Sequence, residues 1–463
     1  MENLSATLLP IVQKINGYLA DYVLIFLLVG AGLWFTIKTG FVQRYIGQGL
    51  KSIFGSLSLK GDKQESGMSS FQAVATAIAA QVGTGNIVGA SGAILTGGPG
   101  AIFWMWVIAF LGMSTIYAEA VLAQKTRIIK DGEVLGGPVY YITHFIKGGL
   151  GKFLAGFFAI AITIALGFFG CLVQSNSLGS TIETAFGIPG WIVGIVLVGV
   201  CALIFIGGPQ RLASVTEKLV PIMAALFLAG GAIVLIARIK YLPATFGMIF
   251  KYAFQPQAIV GGAFGIAIKT AISQGAKRGL FSNEAGMGST PHAHAQANVS
   301  KPHEQGAVAM AGVFIDTFVV LTLNALVIIS TLYTADGPLN ACGAAAAQDV
   351  LVKTNLAQTA FGVVFGEKLG AMFVAVALFF FAFSTILGWN MFGKVNISYL
   401  FGKKGVLPYT IISLVFIFLG TMMSSDLVWE LTDFANYLMV LPNVVGLVAG
   451  TAMVKQLLKE GTK

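Results

Sequence analysis

The chain has 463 residues, of which 56% are hydrophobic and 10% are charged, and its mean hydropathy is +0.83. A soluble globular domain carries about 25% charged residues, so this composition excludes an ordinary soluble protein. The formal net charge of +9 comes from basic residues spread over several loops rather than gathered in one patch, which argues against a nucleic-acid partner.

Apolar windows follow one another along the chain, and eleven of them are long enough to cross a bilayer, which takes about 20 helical residues. Period-two alternation, which a transmembrane barrel needs, is absent from them, and lipid leaves helices as the way to satisfy the backbone. The sequence therefore predicts an all-α membrane protein with eleven transmembrane helices in a single domain, 1–463. The windows are 18–37, 71–97, 98–122, 153–180, 188–207, 219–237, 258–276, 307–332, 370–392, 406–423 and 428–454.

The first window is predicted to be retained as a helix rather than removed as a signal peptide. Lys14 is the sole basic side chain before it, Asp21 interrupts its start, and no small-x-small cleavage site follows. With the N-terminus outside, 21 of the 28 Lys and Arg residues fall in inner loops or ends, as the positive-inside rule requires. We therefore expect a protein of the cell inner membrane with its N-terminus outside and its C-terminus in the cytoplasm.

Polar residues and glycines interrupt two windows at matching positions. The second window contains QVGTGN at residues 81–86, and the seventh contains TAISQG at residues 270–275. Transporters are commonly built from inverted repeats with broken helices at the binding site. The pattern thus predicts an extra first helix, 18–37, followed by two five-helix halves, 71–237 and 258–454, whose odd helix count gives them opposite topologies.

The polar residues of the second window carry more information than its glycines. Glycine in membrane helices usually serves close packing, and Gly85 alone favours that interpretation. Gln81, Thr84 and Asn86, however, are polar at mid-membrane depth, where unpaired amide and hydroxyl groups are costly. Together they favour a substrate or ion site.

Four longer strings are far more specific than an isolated glycine motif. They are GTGNIVG at 83–89, GGPGAIFWMW at 97–106, GGPVYYI at 136–142 and RGLFSNEAGMG at 278–288. On these strings the chain, over nearly its whole length, resembles the alanine or glycine:cation symporters, also called sodium:alanine symporters. The resemblance implies the inverted-repeat fold of the neurotransmitter:sodium symporters and sodium-driven uptake of alanine and often glycine. Relatives that carry glutamine leave the substrate open.

A zwitterionic amino acid presents a carboxylate and an ammonium group to its site. A half-helix that starts after Thr84 and Gly85 points free N–H groups and a positive dipole end at the carboxylate, and carbonyls freed around 273–275 can face the ammonium group. For Gln174 the resemblance implies a place in the pocket, with an interhelical hydrogen bond as the alternative. The expected substrate contacts are Gln81, Thr84, Gly85, Asn86, Gln174, Ser273, Gln274, Gly275 and, limiting side-chain size, Trp389.

Ser384 and Thr385 are adjacent hydroxyl residues in the ninth window. Hydroxyls that bond back to their own helix are ordinary in membranes. The pair nevertheless resembles the sodium-binding pair of the shared fold, where two hydroxyls join carbonyls of the first broken helix. The resemblance implies that these carbonyls belong to Ala79 and Val82. Together with one more carbonyl near Phe381, the two hydroxyls and these carbonyls provide five hard oxygen ligands, which suit a weakly held Na⁺ ion.

Asp316 and Lys269 are ionisable residues within predicted spans, which makes them functional candidates. Their similar predicted depths permit contact, so one interpretation is a mutually neutralising pair. The other places Asp316 beside Asn86 and Thr270 as a second cation site. The sequence leaves both open.

Glu119, Arg278, Asn283 and Glu284 look like an inner-gate cluster, although charged residues at helix ends usually face lipid headgroups. A channel would need a continuous polar lining, whereas these polar residues cluster near the midplane. An intramembrane enzyme would need a nucleophile with a base or a zinc motif, and neither a histidine pair on one helix face nor a Gly-x-Ser-x-Gly loop occurs in any window.

The expected partners are therefore a small amino-acid substrate, sodium ions and membrane lipid. Two alternatives stay open: a symporter of the same fold for glutamine or another neutral amino acid, and coupling to protons. Asp316 is the residue that proton coupling would use.

Overall fold

The computed structural model of the chain describes residues 2–55, 68–130, 133–255, 264–334, 336–339 and 351–462. This part is almost entirely helical, with one antiparallel pair of short strands, β1 (Ile128–Lys130) and β2 (Glu133–Leu135). The α-helices are α1 (Glu2–Tyr18), α2 (Ile25–Lys38), α3 (Ile46–Gly55), α4 (Ser70–Gln81), α5 (Ala90–Gly97), α6 (Gly100–Thr126), α7 (Pro138–Phe145), α8 (Gly148–Ile162), α9 (Cys171–Phe186), α10 (Gly190–Ile206), α11 (Gly208–Ala237), α12 (Leu242–Phe254), α13 (Phe264–Asn283), α14 (Pro291–His294), α15 (Pro302–Val313), α16 (Thr322–Leu332), α17 (Leu356–Phe365), α18 (Glu367–Phe401), α19 (Val406–Gly420), α20 (Ser425–Ala449) and α21 (Thr451–Gly461). Wider π-helical turns lie at Leu19–Leu24, Gly85–Gly89, Thr163–Gly170 and Phe314–Leu321, and 3₁₀ turns lie at Val42–Tyr45, Ile239–Tyr241 and Gly402–Gly405.

Eight helical segments in this part of the chain are long and apolar enough to cross a membrane. The chain is therefore a multi-pass membrane protein. Every one of the eleven predicted windows overlaps a helix, although the start of the window 258–276 lies outside the described residues. The exact number of spans and the inverted repeat remain predictions. The eight segments are Thr7–Lys38, Phe71–Gly97, Gly100–Thr126, Gly148–Phe186, Gln210–Ala237, Pro302–Leu332, Glu367–Gly420 and Ser425–Ala449.

The helices turn apolar side chains outward and polar side chains inward. Phe26, Ile206 and Leu407 are 73%, 81% and 69% exposed, whereas Asn86 and Asp316 are 0% exposed. Large apolar side chains on the outside are compatible with a lipid environment, because lipid tails are as apolar as these side chains. The polar residues that matter for function are therefore to be sought inside the bundle.

The second span is interrupted in its middle. Its first half, α4, begins at a capping box in which Ser69 Oγ accepts from Gln72 N at 3.1 Å and Gln72 Oε1 accepts from Ser69 N at 3.2 Å. The half ends at Gln81, and the chain resumes as the π-helical Gly85–Gly89 before α5. The interruption predicted within residues 81–86 is therefore present.

Glycine at position 83 lets this interruption touch α18. A methyl group on Gly83 would lie 2.5 Å from Thr385 Oγ1 and 3.2 Å from Gln174 Oε1. A side chain here would push both polar atoms away from the backbone. The close approach, rather than backbone flexibility alone, requires glycine.

The interruption predicted around residues 273–275 is wrong, because α13 is continuous from Phe264 to Asn283. Gly275 serves packing instead: a methyl group there would lie 2.6 Å from the Cβ of Trp104 on α6. This is the usual role of small residues between membrane helices.

The chain leaves helical geometry only after Asn283. Glu284 has a φ of 58°, and Gly286 and Gly288 have φ values of 92° and 81°. Left-handed residues of this kind end helices. The turn that follows α13 therefore takes the place of the interruption expected earlier in the helix.

Candidate ion and substrate site

Five oxygen atoms meet where the broken second span faces α18. Thr385 Oγ1 donates to the carbonyl of Ala79 at 2.8 Å and lies 3.5 Å from the carbonyl of Val82. Ser384 Oγ lies 3.4 Å from the Ala79 carbonyl and 3.0 Å from that of Phe381. All five residues are buried. The structure thus brings together the oxygens expected to hold sodium.

The interruption explains why the Ala79 carbonyl can face α18. In an unbroken helix the amide of residue 83 would donate to the carbonyl of residue 79. Here Gly83 N donates to Asn86 Oδ1 at 3.0 Å, and Asn86 N donates to Gly83 O at 3.3 Å. The Thr385 hydroxyl has one proton and two lone pairs, so its proton can turn away from Ala79 and leave both oxygens to a cation.

Thr84 and Gln174 have unpaired polar atoms beside the interruption. Thr84 N donates to Gln174 Oε1 at 3.1 Å. Among the residues that the structure describes, Thr84 Oγ1 and Gln174 Nε2 have no hydrogen-bond partner, although both are buried. An unpaired buried polar atom costs about 1–3 kcal/mol. The two atoms are therefore suited to bind a polar ligand.

Two helix ends of opposite polarity meet at Gly85. A methyl group on Gly85 would lie 3.0 Å from the Cα of Ser282 and 3.1 Å from Phe281 Cδ1, and both of these residues belong to the last turn of α13. The start of the segment at Gly85 carries partial positive charge, and the end of α13 carries partial negative charge. This juxtaposition complements a zwitterion.

Asp316 is surrounded by neutral hydrogen-bond donors. Asn86 Nδ2 donates to its Oδ1 at 2.6 Å, Ser282 Oγ lies 3.1 and 2.9 Å from its two oxygens, and Thr317 Oγ1 donates to Oδ2 at 2.8 Å. Asn324 Nδ2 steadies the group by donating to Asn86 O at 3.0 Å. Ion pairs found within the described ranges do not involve Asp316. A buried carboxylate in this setting is favoured either as the protonated acid or with a bound cation.

Lys269 does not pair with Asp316, so that interpretation is wrong. Its Nζ lies 2.9 Å from Asp21 Oδ2, and its side chain is 56% exposed. The residue of α13 that contacts Asp316 is Ser282, which lies about 20 Å further along the helix at 1.5 Å per residue. The predicted depth of Lys269 is wrong because the predicted window ends at residue 276, whereas α13 continues to Asn283.

Three predicted substrate residues, Ser273, Gln274 and Gly275, lie well before the end of α13. Ser273 Oγ donates to Asp21 Oδ1 at 2.6 Å, and Gly275 packs against Trp104. Gln274 lines a cavity together with Val88 and Gly89 of the interrupted span. Thr270 was expected beside Asp316, but the residue of α13 that donates to Asp316 is Ser282.

Gln81 and Trp389 contact the end of α13 and the turn that follows it. Gln81 Nε2 donates to the carbonyl of Asn283 at 2.8 Å. The indole N–H of Trp389 donates to the carboxylate of Glu284, and its ring meets Phe281 edge to face with the centroids 5.7 Å apart. The broken span and α18 are therefore both tied to α13 near Gly85.

The sequence predicted no role for four residues of this site, which are Phe281, Ser282, Thr317 and Asn324. A signal for Phe281 and Ser282 was available in the two glycines that follow, at 286 and 288, because glycines shortly after polar residues are typical of a helix end. Nothing in the local sequence distinguishes Thr317 and Asn324 from ordinary polar residues of a span.

Glu119 holds the turn after α13 from the side of α6. Its carboxylate accepts from the backbone amides of Gly286 at 3.2 Å and Gly288 at 2.9 Å. Asn443 Nδ2 donates to the same carboxylate at 2.6 Å. Glu119 and Glu284 thus share one turn, as expected for the predicted cluster.

Arg278 is not part of that turn, which corrects both its assignment to the cluster and its count among inner-loop residues. It lies within α13, forms an ion pair with Asp433, and its guanidinium lies 4.9 Å from the ring centroid of Trp429. Arg278, Trp429 and Lys353 line a cavity of about 570 Å³. Val88 and Gly89 of the interrupted span line the same cavity. The ring of Trp429 packs against that of Phe281, with the centroids 4.8 Å apart.

The profile of the sodium:alanine symporter family matches residues 5–463. The chain is 39% identical to the sodium/alanine symporter AgcS of Methanococcus maripaludis, over 94% of this chain and 93% of the relative. It is 37% identical to the amino-acid carrier protein AlsT of Bacillus subtilis, over 91% and 85% of the two chains. It is also 35% identical, over 98% and 90%, to a Bacillus subtilis protein named as a probable sodium/glutamine symporter, GlnT.

Among solved structures, a mutant manganese transporter of Eremococcus coleocola superposes with a TM-score of 0.52 at 13% identity. The match covers 84% of this chain and 85% of that one. At this identity the likeness shows a shared fold and nothing about function or the transported ion. The match of the family profile along the chain and the relatives above 30% identity decide the family: the chain belongs to the sodium:alanine symporters.

Proposed function

We propose that the chain is a sodium-coupled symporter that imports alanine and glycine across the cell inner membrane. The observation that carries this proposal is that one interruption of a span borders both the five-oxygen cluster and the unpaired atoms of Thr84 and Gln174. Binding sites that share a stretch of backbone are coupled, because occupancy of one stabilises the conformation that the other needs. Family membership supports sodium and an amino acid as the two occupants.

The amino acid lies, in this proposal, beside the point at Gly85 where the two helix ends meet. Its carboxylate faces the N–H groups at the start of the Gly85–Gly89 segment and the Thr84 hydroxyl. Its ammonium group faces the end of α13, which replaces residues 273–275 as the expected partner. The aromatic rings of Phe281 and Trp389, whose centroids lie 5.7 Å apart, wall this region and limit the size of the substrate side chain, which favours alanine and glycine over glutamine.

Sodium occupies the cluster of Ala79, Val82, Phe381, Ser384 and Thr385. All five ligands are neutral, and Na⁺, as a hard cation, prefers oxygen. Without a carboxylate in the cluster the ion is held weakly, which suits a transported ion that must be released on the other side.

Asp316 is proposed as a second cation site beside Asn86. The absence of a cationic partner for Asp316 within the described residues favours this role. The same observation favours proton coupling as the second candidate, because a buried carboxylate can carry a proton across instead of a metal ion.

Uptake by purified protein in proteoliposomes tests the proposal. An inward sodium gradient at fixed pH should drive alanine and glycine above equilibrium, and choline in place of sodium should abolish accumulation. Stronger accumulation of glutamine than of alanine would assign the alternative substrate. Accumulation driven by a pH gradient in choline would assign proton coupling.

The Thr84→Val variant tests the substrate site itself. Because the Thr84 hydroxyl has no partner among the described residues, its loss should leave thermal stability unchanged. If the hydroxyl binds the amino acid, the KM for alanine should rise about tenfold, the effect of one lost hydrogen bond of about 1.4 kcal/mol. An unchanged KM would remove Thr84 from the site.

A further inference from the structure

Glu284 is a buried carboxylate to which the transport scheme above gives no role. Its oxygens accept from the indole N–H of Trp389 and from the hydroxyl of Ser289. It forms no ion pair within the described part of the chain. Its φ of 58° lies in the left-handed region, which glycine and asparagine tolerate better. A glutamate retained in such a conformation points to a use for its side chain.

The indole of Trp389 is fixed from three sides. Glu284 accepts a hydrogen bond from its N–H, and Phe281 meets its ring edge to face at 87°. On the other edge the ring packs against the backbone of Gly170. A methyl group on Gly170 would lie 2.5 Å from the Cε3 atom of the indole. The ring therefore sits in one orientation that depends on a hydrogen bond at one edge and on a glycine at the other.

The same indole borders the proposed binding region. Trp389 follows Thr385 by four residues on α18, and Gly170 precedes Gln174 by four residues. Residues four apart lie on the same face of a helix. The fixed ring thus stands one turn from a sodium ligand on its own helix and packs one turn from Gln174 on the neighbouring helix.

We propose that Glu284 is a positioning residue that sets the size limit for the substrate side chain by fixing the orientation of Trp389. This inference rests on the proposed function, in which Trp389 walls the pocket. The N–H is the single donor of an indole, and the carboxyl group of Glu284 is the acceptor that holds it. Loss of this bond lets the ring turn from its position between Gly170 and Phe281, and longer side chains gain room.

Competition against alanine uptake in proteoliposomes measures this effect. In the wild type, leucine should compete poorly. Glu284→Ala should lower the leucine concentration for half-inhibition about tenfold relative to that for alanine, within the range that one or a few methylenes contribute to discrimination. Glu284→Gln, which keeps a neutral acceptor for the indole, should give a smaller shift.

A double-mutant cycle separates positioning from a general structural role. Trp389→Phe removes the donor but keeps an aromatic wall, and it should relax selectivity by a similar factor. If Glu284 acts through the indole, adding Glu284→Gln or Glu284→Ala to Trp389→Phe should change selectivity no further. Equal shifts in both backgrounds would overturn the proposal, as would a Trp389→Phe variant that still excludes leucine.

Trp104→Phe is the matched control. Its indole N–H also donates a hydrogen bond, to the carbonyl of Ala253 on α12 at 3.1 Å, so removing it should leave the alanine-to-leucine preference unchanged. If Glu284→Ala does not yield monodisperse protein, Glu284→Gln and Trp389→Phe carry the cycle alone.

Uptake by the wild-type protein distinguishes this inference from the proposed function on which it rests. If the wild type shows no sodium-driven uptake of any amino acid, the proposed function is wrong. If the wild type accumulates alanine but every Glu284 variant keeps its selectivity, only the role of Glu284 is wrong. A wild type that takes up leucine as well as alanine refutes the size limit.

Discussion

Replacement of Thr385 by valine tests the sodium cluster most directly, because valine keeps the shape of threonine and removes its hydroxyl. Thr385 Oγ1 lies 2.8 Å from the Ala79 carbonyl and 3.5 Å from that of Val82, so it is central among the five oxygens. Removal of one buried oxygen ligand, treated as one lost polar interaction, costs about 1–3 kcal/mol. The sodium concentration for half-maximal uptake should therefore rise between about fivefold and 150-fold.

The assay is alanine uptake by proteoliposomes at saturating alanine and increasing external sodium. Thr331→Val is the control, because Thr331 is also buried and, among the described residues, its hydroxyl donates within its own helix, to the carbonyls of Val327 at 2.7 Å and Ile328 at 3.2 Å. The control should keep the sodium dependence of the wild type. Thr385→Ser restores the hydroxyl and should recover most of the affinity.

An unaltered sodium dependence in Thr385→Val, with protein stability preserved, would place the ion elsewhere. Ser384→Ala should show the same direction of change. The double variant should lose less than the sum of the two single losses, because neighbouring ligands of one ion are not independent.

Three further outcomes follow from the charged and titratable groups. Asp316→Asn should lower the number of sodium ions carried per alanine, measured with both labels in one uptake experiment, and an unchanged ratio would contradict the second cation site. Lys269→Met should leave the melting temperature nearly unchanged and sodium dependence intact, because its pair with Asp21 is partly exposed; loss of sodium coupling would contradict this. Burial lowers the pKa of His292, in the short helix α14, to about 4. The unfolded chain, whose histidine has a pKa of about 6.5, then binds a proton first, so stability present above pH 6.5 should fall as the pH drops toward 4; the melting temperature measures this, and an equal slope in His292→Asn would refute it.

The sequence was most informative where one short string determines the geometry. The glycine and polar residues at 81–86 predict an interrupted span from a local pattern alone. For Ser384 and Thr385 the local pattern left bonding within their own helix open, and the resemblance to the family implied the carbonyls of the broken span as their partners. Their oxygens meet because each string presents them at the same depth in neighbouring helices.

The end of α13 could not be found in the same way. The predicted window stopped at residue 276 because the charged pair at 277–278 reads as a loop. In the fold, Arg278 stays inside the helix because Asp433, distant in sequence on α20, neutralises it. Hydropathy counts such a charge at full cost, since a partner from another helix leaves no trace in the local sequence. Because the end of the helix was predicted too early, the contacts that the end of α13 makes were expected for residues 269–275.

Asn86 shows how one side chain joins the two candidate cation sites. Its Oδ1 accepts from Gly83 N at 3.0 Å, which leaves the Ala79 carbonyl for Thr385, and its Nδ2 donates to Asp316 Oδ1 at 2.6 Å. The oxygen and nitrogen of one amide are rigidly connected. If Asp316 shifts on binding a cation or a proton, the Asn86 side chain moves with it, and its hydrogen bond to Gly83 N changes. Coupling between the two sites therefore needs no rearrangement of whole helices. The coupling requires that the Asn86 side chain keep both hydrogen bonds. The backbone N–H of Gly83 is free to donate to Asn86 because the second span is interrupted there.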